Sequence, residues 1–332
     1  MNYEEAMDIN EKNPWAKIPP GKKAIPVFKD PKIKKRFLWA IDEDKNHCLL
    51  FEAKEENTAI PPKKDLPKLR GLSISELSSN KRFLKITLLD IQQLEIFSEL
   101  CCLLINASVN EESEQGTLSV LLRRCMRWVN LLAGKRDNKL SNSEQKGLIG
   151  ELYFLSEILI NQINISPEMA LESWQGPLGG SKDFDLNKTQ IEIKAKRTIS
   201  KPKIKISSED QLEENPETNL FLAVFGIDFS EERESKNLNQ WCLYVEQEIE
   251  KRNPNLISQF NNLICEYGFD WEDDYSDSKW DIKEIVYYRI KNEFPKIVGS
   301  KLSSGIEDVS YTLDMNELKD FEITKEVFLK EI

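Results

Sequence analysis

The spacing of hydrophobic and polar residues changes along the chain, and up to about residue 90 it is typical of β-structure. Residues 36–42 and 47–53 are largely apolar and flank a short polar segment, which predicts a β-hairpin. Residues 69–77 and 82–89 could supply two more strands. We therefore expect a β-rich N-terminal domain over residues 1–90.

From residue 91 the spacing becomes helical. Apolar residues recur every three or four positions over 94–105 and 117–132. A third helix should begin near Ser141, because Ser141 and Glu144 have the spacing of a capping box. At 100° per residue, six of its apolar residues form one continuous arc: Leu148, Leu152, Phe154, Leu155, Ile158 and Leu159. Glu151 falls inside this arc, where a carboxylate is costly to bury unless something compensates for the lost hydration.

The next segments predict a mixture of strands and helices. A loop over 176–182 leads into a hairpin, and an extended piece from Ile204 turns helical with Ser207 or Ser208 as its cap. Residues 220–227 are a continuous apolar run, which predicts a buried central strand.

The C-terminal part has a pattern of its own. A helix is expected over 247–267, and strands are expected over 283–294 and 309–313. We therefore expect an α+β accessory region over 231–332.

Composition narrows the class of protein. The chain has 332 residues, of which 31% are charged and 40% hydrophobic, as in ordinary globular proteins. The N-terminus is acidic, and glutamates interrupt the most apolar run, near 94–109. We therefore expect no secretory signal and no membrane span, and cytoplasm is the expected compartment. The six cysteines lack C-x-x-C spacing and His47 is the sole histidine, which argues against structural zinc and histidine-dependent nucleophiles.

Residues 183–194 carry the candidate chemistry. Side chains of a strand alternate between two faces, so Glu192 and Lys194 project from the same side. A polar turn would bring Asp183 or Asp185 beside them, because these two aspartates are two residues apart and point to the same face of their strand. Two carboxylates and an ammonium are costly to hold together without a cation, and oxygen ligands suit Mg²⁺ and Mn²⁺. The sequence therefore predicts a divalent-metal site on this hairpin.

The Asp…Glu-x-Lys pattern resembles the signature of the PD-(D/E)XK nuclease superfamily, which has the restriction-endonuclease-like fold. Residues 147–155 resemble the first helix of that fold, 174–184 the entry to its second strand, and 206–212 the following helix. Four ordered elements are much more specific than a bare Glu-x-Lys. Together they resemble a bacterial PD-(D/E)XK family found among phage-defence and restriction genes. Over about 140–226 the resemblance implies α-β-β-β-α-β order and an α/β (α+β) nuclease core, a mixed sheet flanked by helices, over 91–230.

The resemblance also implies roles for individual residues. Mg²⁺ (or Mn²⁺) would be bound by Asp183 and Glu192, with Glu151 contributing directly or through water. Lys194 would orient or help to deprotonate the attacking water, and Gln211 could position that water or a phosphate oxygen. By resemblance, the Lys-Asp-Phe context favours Asp183 as the first metal ligand, and Asp185 is the reserve choice.

A nuclease needs a polyanionic partner, and the net charge of −11 argues only superficially against one. Binding depends on where the basic groups lie. Residues 194–205 are strongly basic, contain no acid and follow directly from the proposed metal strand. Five of their side chains are predicted to contact DNA phosphates: Lys196, Arg197, Lys201, Lys203 and Lys205. A solvated charged loop is the alternative interpretation.

Two functions are therefore weighed. The first is a metal-dependent DNA endonuclease of a bacterial restriction or phage-defence system, with ATPase or helicase-like and methyltransferase subunits as plausible partners and with homo-oligomerisation left open. The second is a non-catalytic nucleic-acid-binding or scaffold subunit that keeps the nuclease fold. The intact set of Asp183, Glu192 and Lys194 favours the enzyme, because a binding-only descendant need not retain it.

Overall fold

The computed structural model describes residues 13–28, 36–55, 58–63, 66, 71–78, 80–109, 111–132, 139–291 and 293–332, with the backbone alone for 127–132. Contacts between residues divide the chain into two compact units. The first unit comprises Met1–Asp137 and Pro254–Cys265, and the second comprises Asn138–Asn253 and Glu266–Ile332.

The first unit contains an antiparallel sheet and two long helices. Its strands are β1 (Ala24–Pro26), β2 (Phe37–Ile41), β3 (His47–Ala53), β4 (Leu72–Ser78) and β5 (Arg82–Leu88), in the order β1-β2-β3-β5-β4. The helices are α1 (Leu94–Ser108) and α2 (Glu114–Leu132). The predicted hairpin is confirmed, since Phe37 pairs with Phe51 and Ile41 pairs with His47.

One apolar cluster holds the sheet and the helices of this unit together. Trp15 and Phe51 from the sheet side join Phe97 and Leu104 of α1 and Leu121 of α2. Helices that bury their apolar faces against a sheet belong to its core. The predicted division into 1–90, 91–230 and 231–332 therefore does not coincide with the limits of the two units.

The second unit begins with helices and continues as a mixture of strands and helices. Its helices are α3 (Asn142–Tyr153), continued as a π-helix (Phe154–Gln162), then α4 (Pro167–Ser173), α5 (Leu238–Glu250) and α7 (Lys325–Glu331); α6 (Ile257–Tyr267) ends in this unit. Its strands are β6 (Phe184–Asp185), β7 (Thr189–Lys196), β8 (Lys203–Ile206), β9 (Asn219–Phe229), β10 (Lys236–Asn237), β11 (Lys279–Ile290), β12 (Tyr311–Asp314) and β13 (Glu322–Ile323).

The sheet of the second unit is mixed, as predicted. Its strand order is β10-β11-β9-β7-β6, with β13 paired to β11. Strands β7 and β9 run parallel, whereas the other pairs are antiparallel. Strand β9 lies in the middle and is buried over most of its length, which confirms the central strand expected from its apolar run. This is the α/β (α+β) arrangement of a restriction-endonuclease-like core.

The start of α3 is confirmed, but its continuation differs from the prediction. Ser141 accepts a hydrogen bond from the Glu144 backbone while the Glu144 side chain accepts from the Ser141 backbone, which is a complete capping box. From Phe154 to Gln162 the hydrogen bonds become those of a π-helix. A spacing of 100° per residue assumes an α-helix, so it holds only as far as Tyr153.

Three further predictions need correction. The single helix over 247–267 is wrong: α5 ends at Glu250, and Pro254, which cannot donate a backbone hydrogen bond, starts a short turn before α6. The helix after β8 is only the four-residue 3₁₀ turn Glu209–Leu212, capped by Ser208. The strand expected over 283–294 is β11 (Lys279–Ile290), which begins and ends four residues earlier and joins the central sheet beside β9.

Strand β8 lies outside the main sheet. It pairs with β12 in a separate two-stranded ribbon and does not extend the main sheet. Its buried residues, Ile204 and Ile206, pack with residues of β9 and β11 such as Leu222 and Tyr288. The strand that pairs with β7 in the main sheet is therefore β9 and not β8. None of the helices in the described part of the chain has the length and apolarity needed to span a bilayer.

Candidate active site

The hairpin β6–β7 brings the predicted acids together. Phe184 pairs with Ile191 and Asp185 pairs with Gln190, so the same register continued by one residue sets Asp183 opposite Glu192. The turn between the strands is closed by a hydrogen bond from the backbone N–H of Leu186 to the backbone oxygen of Thr189, at 2.8 Å. Asn187 has a φ of 66°, a left-handed conformation that asparagine tolerates.

The two aspartates of the hairpin have different partners. Asp183 accepts a hydrogen bond from the backbone N–H of Ile193 at 2.6 Å. Asp185 instead accepts from the backbone of Asn187 at 3.0 Å and from the side chain of Gln190 at 2.8 Å. Asp185 therefore stabilises the turn with both oxygens, whereas Asp183 directs its carboxyl along β7 toward the other acids.

Glu192 is the most deeply buried of the three predicted acids. Its side chain is 1% exposed, and its Oε1 accepts from the Lys194 ammonium at 2.5 Å. Its Oε2 is buried, and it has no hydrogen-bond partner among the described residues. Buried carboxylate oxygens are nearly always satisfied, so this oxygen marks a position where a further group would bind.

Glu151 reaches the same place from α3. Its Oε2 accepts from the indole N–H of Trp174 at 2.7 Å, and the Tyr267 hydroxyl also hydrogen-bonds its carboxyl. A Cβ built on Gly176 would lie 2.5 Å from Oε2 of Glu151 and 3.1 Å from Oδ1 of Asp183. The carboxyls of Glu151 and Asp183 therefore both lie against Gly176, at the place where any other residue would have its Cβ atom.

The electrostatics of this cluster follow from its burial. The pKa of Glu192 is raised to about 8, first by burial and then by the charge of Asp183, while Lys194 opposes the rise. Burial also raises the pKa of Asp183, against the opposing effect of Lys194. The pKa of Glu151 is held well above its usual range, first by burial and then by the charge of Asp183. Lys194 offsets only part of the repulsion among these carboxyls, and a further cation would favour their charged forms.

Lys182 is a second ammonium at this site that the sequence did not single out. It is 6% exposed and donates to the backbone oxygen of Asp210. Burial lowers its pKa, and the charge of Glu192 opposes that effect most strongly. Its place directly before Asp183 was the one available signal in the sequence.

The residues fit a divalent ion through their donor chemistry. Carboxylate oxygens are the ligands that Mg²⁺ and Mn²⁺ prefer, and Oε2 of Glu192 lacks a partner. Within the described residues, no group of three or more His, Cys, Asp and Glu side chains is spaced to hold a metal. The pair of Asp183 and Glu192 is the set that fits best, since Trp174 and Tyr267 already engage Glu151.

The remaining predicted site residue, Gln211, is used locally. Its side-chain oxygen accepts from the backbone N–H of Ser207 at 2.8 Å and so stabilises the turn after β8. The geometry gives Gln211 a structural contact, and its predicted role toward water or phosphate stays a prediction.

The predicted DNA-contacting side chains lie in and after β7. Arg197, Lys201, Lys203 and Lys205 are exposed, and Lys196 is half-buried. On β8 the lysines alternate with buried isoleucines, so both lysines face solvent. Arg197 lies 3.9 Å from the carboxylate of Asp228, a distance too long for a strong ion pair. The segment thus presents cations on the surface that follows the candidate site.

A mixed sheet whose β6–β7 hairpin carries an Asp and a Glu-x-Lys motif, with a helix glutamate beside it, defines a PD-(D/E)XK, nuclease-like protein. The comparison with protein families agrees. Residues 7–316 match the family described as "Putative PD-(D/E)XK family member, (DUF4420)", and the chain belongs to that family. Neither the curated proteins nor the solved structures gave a match.

Proposed function

We propose that the protein is a metal-dependent endonuclease that hydrolyses phosphodiester bonds in DNA. The observation that carries the proposal is the buried Glu192, which lies opposite Asp183, is bonded to Lys194 and keeps one oxygen unpaired. A purely structural ion pair would have no need of a second buried carboxyl, because each extra charge adds repulsion in a low dielectric.

Asp183 and Glu192 would hold the ion, and Glu151 would support them without binding the ion directly. A divalent cation bound there would polarise the scissile phosphate and lower the pKa of the attacking water. Mg²⁺ is the first candidate and Mn²⁺ the second, because both accept carboxylate oxygens. The backbone bond from Ile193 fixes one oxygen of Asp183 and leaves the other facing the cluster.

Lys194 is placed to act on the substrate. Its side chain is 16% exposed, so the ammonium can be reached from solvent while Glu192 holds it in position. Three N–H donors allow it to keep that bond and also to contact water or a phosphate oxygen. We assign it the roles of orienting the attacking water and of stabilising the negative charge that develops on the phosphate.

The basic surface would bind the DNA backbone. Lys201, Lys203 and Lys205 are exposed cations on the segment that leaves the candidate site, next to Arg197 and Lys196. Contacts of this kind position a duplex without reading its sequence.

The biological setting is proposed from resemblance. The motifs resemble those of PD-(D/E)XK proteins found among bacterial restriction and phage-defence genes, so we place the enzyme in such a system. ATPase or helicase-like and methyltransferase subunits are the partners that this setting implies. A homo-oligomer would supply two active sites for cleavage of both strands.

Plasmid cleavage tests the proposal. Wild-type protein should nick or linearise plasmid DNA with Mg²⁺ or Mn²⁺ and lose this activity with a chelator. Asp183→Ala should abolish cleavage, and Lys194→Ala should lower the rate about 10²- to 10⁴-fold. Lys188→Ala, at the exposed turn of the same hairpin, is the matched control and should cleave like the wild type. Equal activity of the wild type, Asp183→Ala and Lys194→Ala would contradict the proposal.

One observation favours the second candidate, a non-catalytic nucleic-acid-binding or scaffold subunit. No group of three metal-ligating side chains is formed among the described residues. DNA binding by the wild type that needs no divalent ion, together with absence of cleavage in the presence of its partner subunits, would support this function.

A further inference from the structure

Two ring side chains hold the Glu151 carboxyl in place. Trp174 donates its indole N–H to Oε2 at 2.7 Å, and Tyr267 hydrogen-bonds the same carboxyl through its hydroxyl. Glu151 is 5% exposed and Trp174 is fully buried. Because little water reaches these groups, the two bonds fix the orientation of the carboxyl more firmly than bonds at the surface would.

Two glycines make room for this arrangement. A Cβ on Gly147 would lie 2.8 Å from the hydroxyl oxygen of Tyr267, and a Cβ on Gly176 would lie 2.5 Å from Oε2 of Glu151. Atoms in proteins do not approach a Cβ so closely, so a side chain at either position would displace the bonded groups. Gly147 precedes Glu151 by four residues, about one turn of α3, so the helix surface itself receives the tyrosine.

The direction in which Glu151 is held matters for the site. Its carboxyl contacts the two ring donors and lies beside Asp183, whose charge is the strongest carboxylate influence on it. Asp183 in turn lies opposite Glu192. Any movement of Glu151 would therefore change the surroundings of both predicted ion-binding carboxyls.

We propose that Tyr267 is a positioning residue, which together with Trp174 holds Glu151 against Asp183 and so maintains the geometry of the Asp183–Glu192 pair. In this role Tyr267 would contact Glu151 and not the ion or the DNA. This inference rests on the proposed function, because it concerns the ion that the pair would bind. Tyr267 lies far along the chain from residues 147–212, which contain the motifs.

Binding of Mn²⁺ by full-length protein tests the inference without relying on cleavage. Tyr267→Phe removes only the hydroxyl, and we expect Mn²⁺ affinity to fall up to about 10-fold in a calorimetric titration, the lower end of the effect of removing a group that supports the ligands from outside. Tyr287→Phe is the matched control, since the Tyr287 hydroxyl is buried and has no hydrogen-bond partner among the described residues. The control should bind Mn²⁺ like the wild type.

A double-mutant cycle separates positioning from general packing. Gly147→Ala should weaken Mn²⁺ binding because its methyl group would displace the Tyr267 hydroxyl. In the Tyr267→Phe background the same substitution should weaken binding much less, because the displaced group is already gone. Thermal melting of each variant confirms that it is folded.

The outcomes are distinct. Wild-type affinity in Tyr267→Phe, or an equal loss in Tyr287→Phe, would overturn the inference while leaving the proposed function intact. Additive losses in the cycle would also overturn it. Absence of Mn²⁺ binding by the wild type would overturn the proposed function and this inference together.

Discussion

Glu192 shows how the arrangement that we propose for catalysis conflicts with stability. Its carboxyl is buried beside Asp183, and only one of its oxygens is satisfied, by Lys194. A buried charge without full compensation destabilises the fold, and a bound cation would relieve it. We regard this conflict as the physical signature of an ion-binding function.

Glu192→Gln should therefore change how stability depends on pH. The pKa of Glu192 is raised from 4.5 to about 8 in the folded protein, so the folded state keeps a proton that the unfolded chain loses. The contribution of this group to the stability of the metal-free wild type is then greatest below pH 4.5, the pKa in the unfolded chain, and is lost as pH rises toward 8. The variant should lack this part of the fall, which is on the order of a few kcal/mol.

Thermal melting in chelator between about pH 5 and pH 8 measures the effect. Added Mn²⁺ should restore stability to the wild type at the upper end and should have less effect on the variant. A wild-type melting temperature that rises over this interval more than that of Glu192→Gln would contradict the raised pKa.

The sequence identified the acids of the hairpin but could not choose between its aspartates. Strand parity gave Asp183 and Asp185 the same face, and resemblance alone favoured the first. Only the structure shows that Asp185 accepts bonds from the turn. The hydrogen bonds of Lys182 and Tyr267 were beyond prediction, because no local pattern encodes a partner from a distant segment.

At the scale of elements, the capping box of α3 was predicted from local sequence and is confirmed. Caps and strand alternation depend on neighbours within a few residues, which the sequence displays directly. The π-helix after Tyr153 and the pairing of β8 with β12 depend on packing against distant residues. Periodicity could not foresee them for that reason.

The basic strand β8 leads to a prediction about DNA binding. Replacing Lys203 and Lys205 by glutamine should weaken binding to all sequences alike, because exposed lysines contact phosphates and not bases. The slope of log K against log salt concentration should become shallower by about 2, since each phosphate contact releases about one counterion.

Binding measured by fluorescence anisotropy at several salt concentrations tests this. Lys251→Gln is the control, since Lys251 is exposed and pairs with Glu248 on a helix outside the basic segment. An unchanged slope in the Lys203 and Lys205 double variant would mean that β8 does not contact the DNA backbone.

The helix α3 offers a prediction about stability. Ser141→Ala removes the hydroxyl that caps the helix carrying Glu151, and we expect a loss of about 1 kcal/mol in the free energy of unfolding. Urea denaturation measures it, with Ser143→Ala inside the same helix as the control. A smaller loss for Ser141→Ala than for the control would contradict the role of the cap.

At the scale of the whole molecule, the candidate site draws on segments that are far apart in the chain. The helix α3, the β6–β7 hairpin and the end of α6 supply its side chains, and β11 supports β9 from the far side of the sheet. Local patterns located the elements, yet the grouping into two units and the role of β11 required long-range contacts. The place of β11 beside β9 is a contact between distant segments, which local sequence does not display.

The last helix illustrates this dependence. Phe328 of α7 lies beyond the family match, yet it is fully buried, stacks on Tyr287 at 4.2 Å and meets the rings of Phe154 and Phe221 edge-on. Phe328→Ala should cost about 3–5 kcal/mol of stability. Val327→Ala is the control at an exposed neighbour, and chemical denaturation provides the measurement. Equal stability of the two variants would show that α7 does not contribute to the core.

Asp183 and Glu192 should bind one divalent ion between them. Anomalous diffraction from a crystal soaked in Mn²⁺ can locate that ion. We expect a single strong peak within coordination distance of Oε2 of Glu192 and of the Asp183 carboxyl, and its absence from crystals of Asp183→Ala. A peak bound elsewhere, or no peak between these two side chains in the wild type, would contradict the claim.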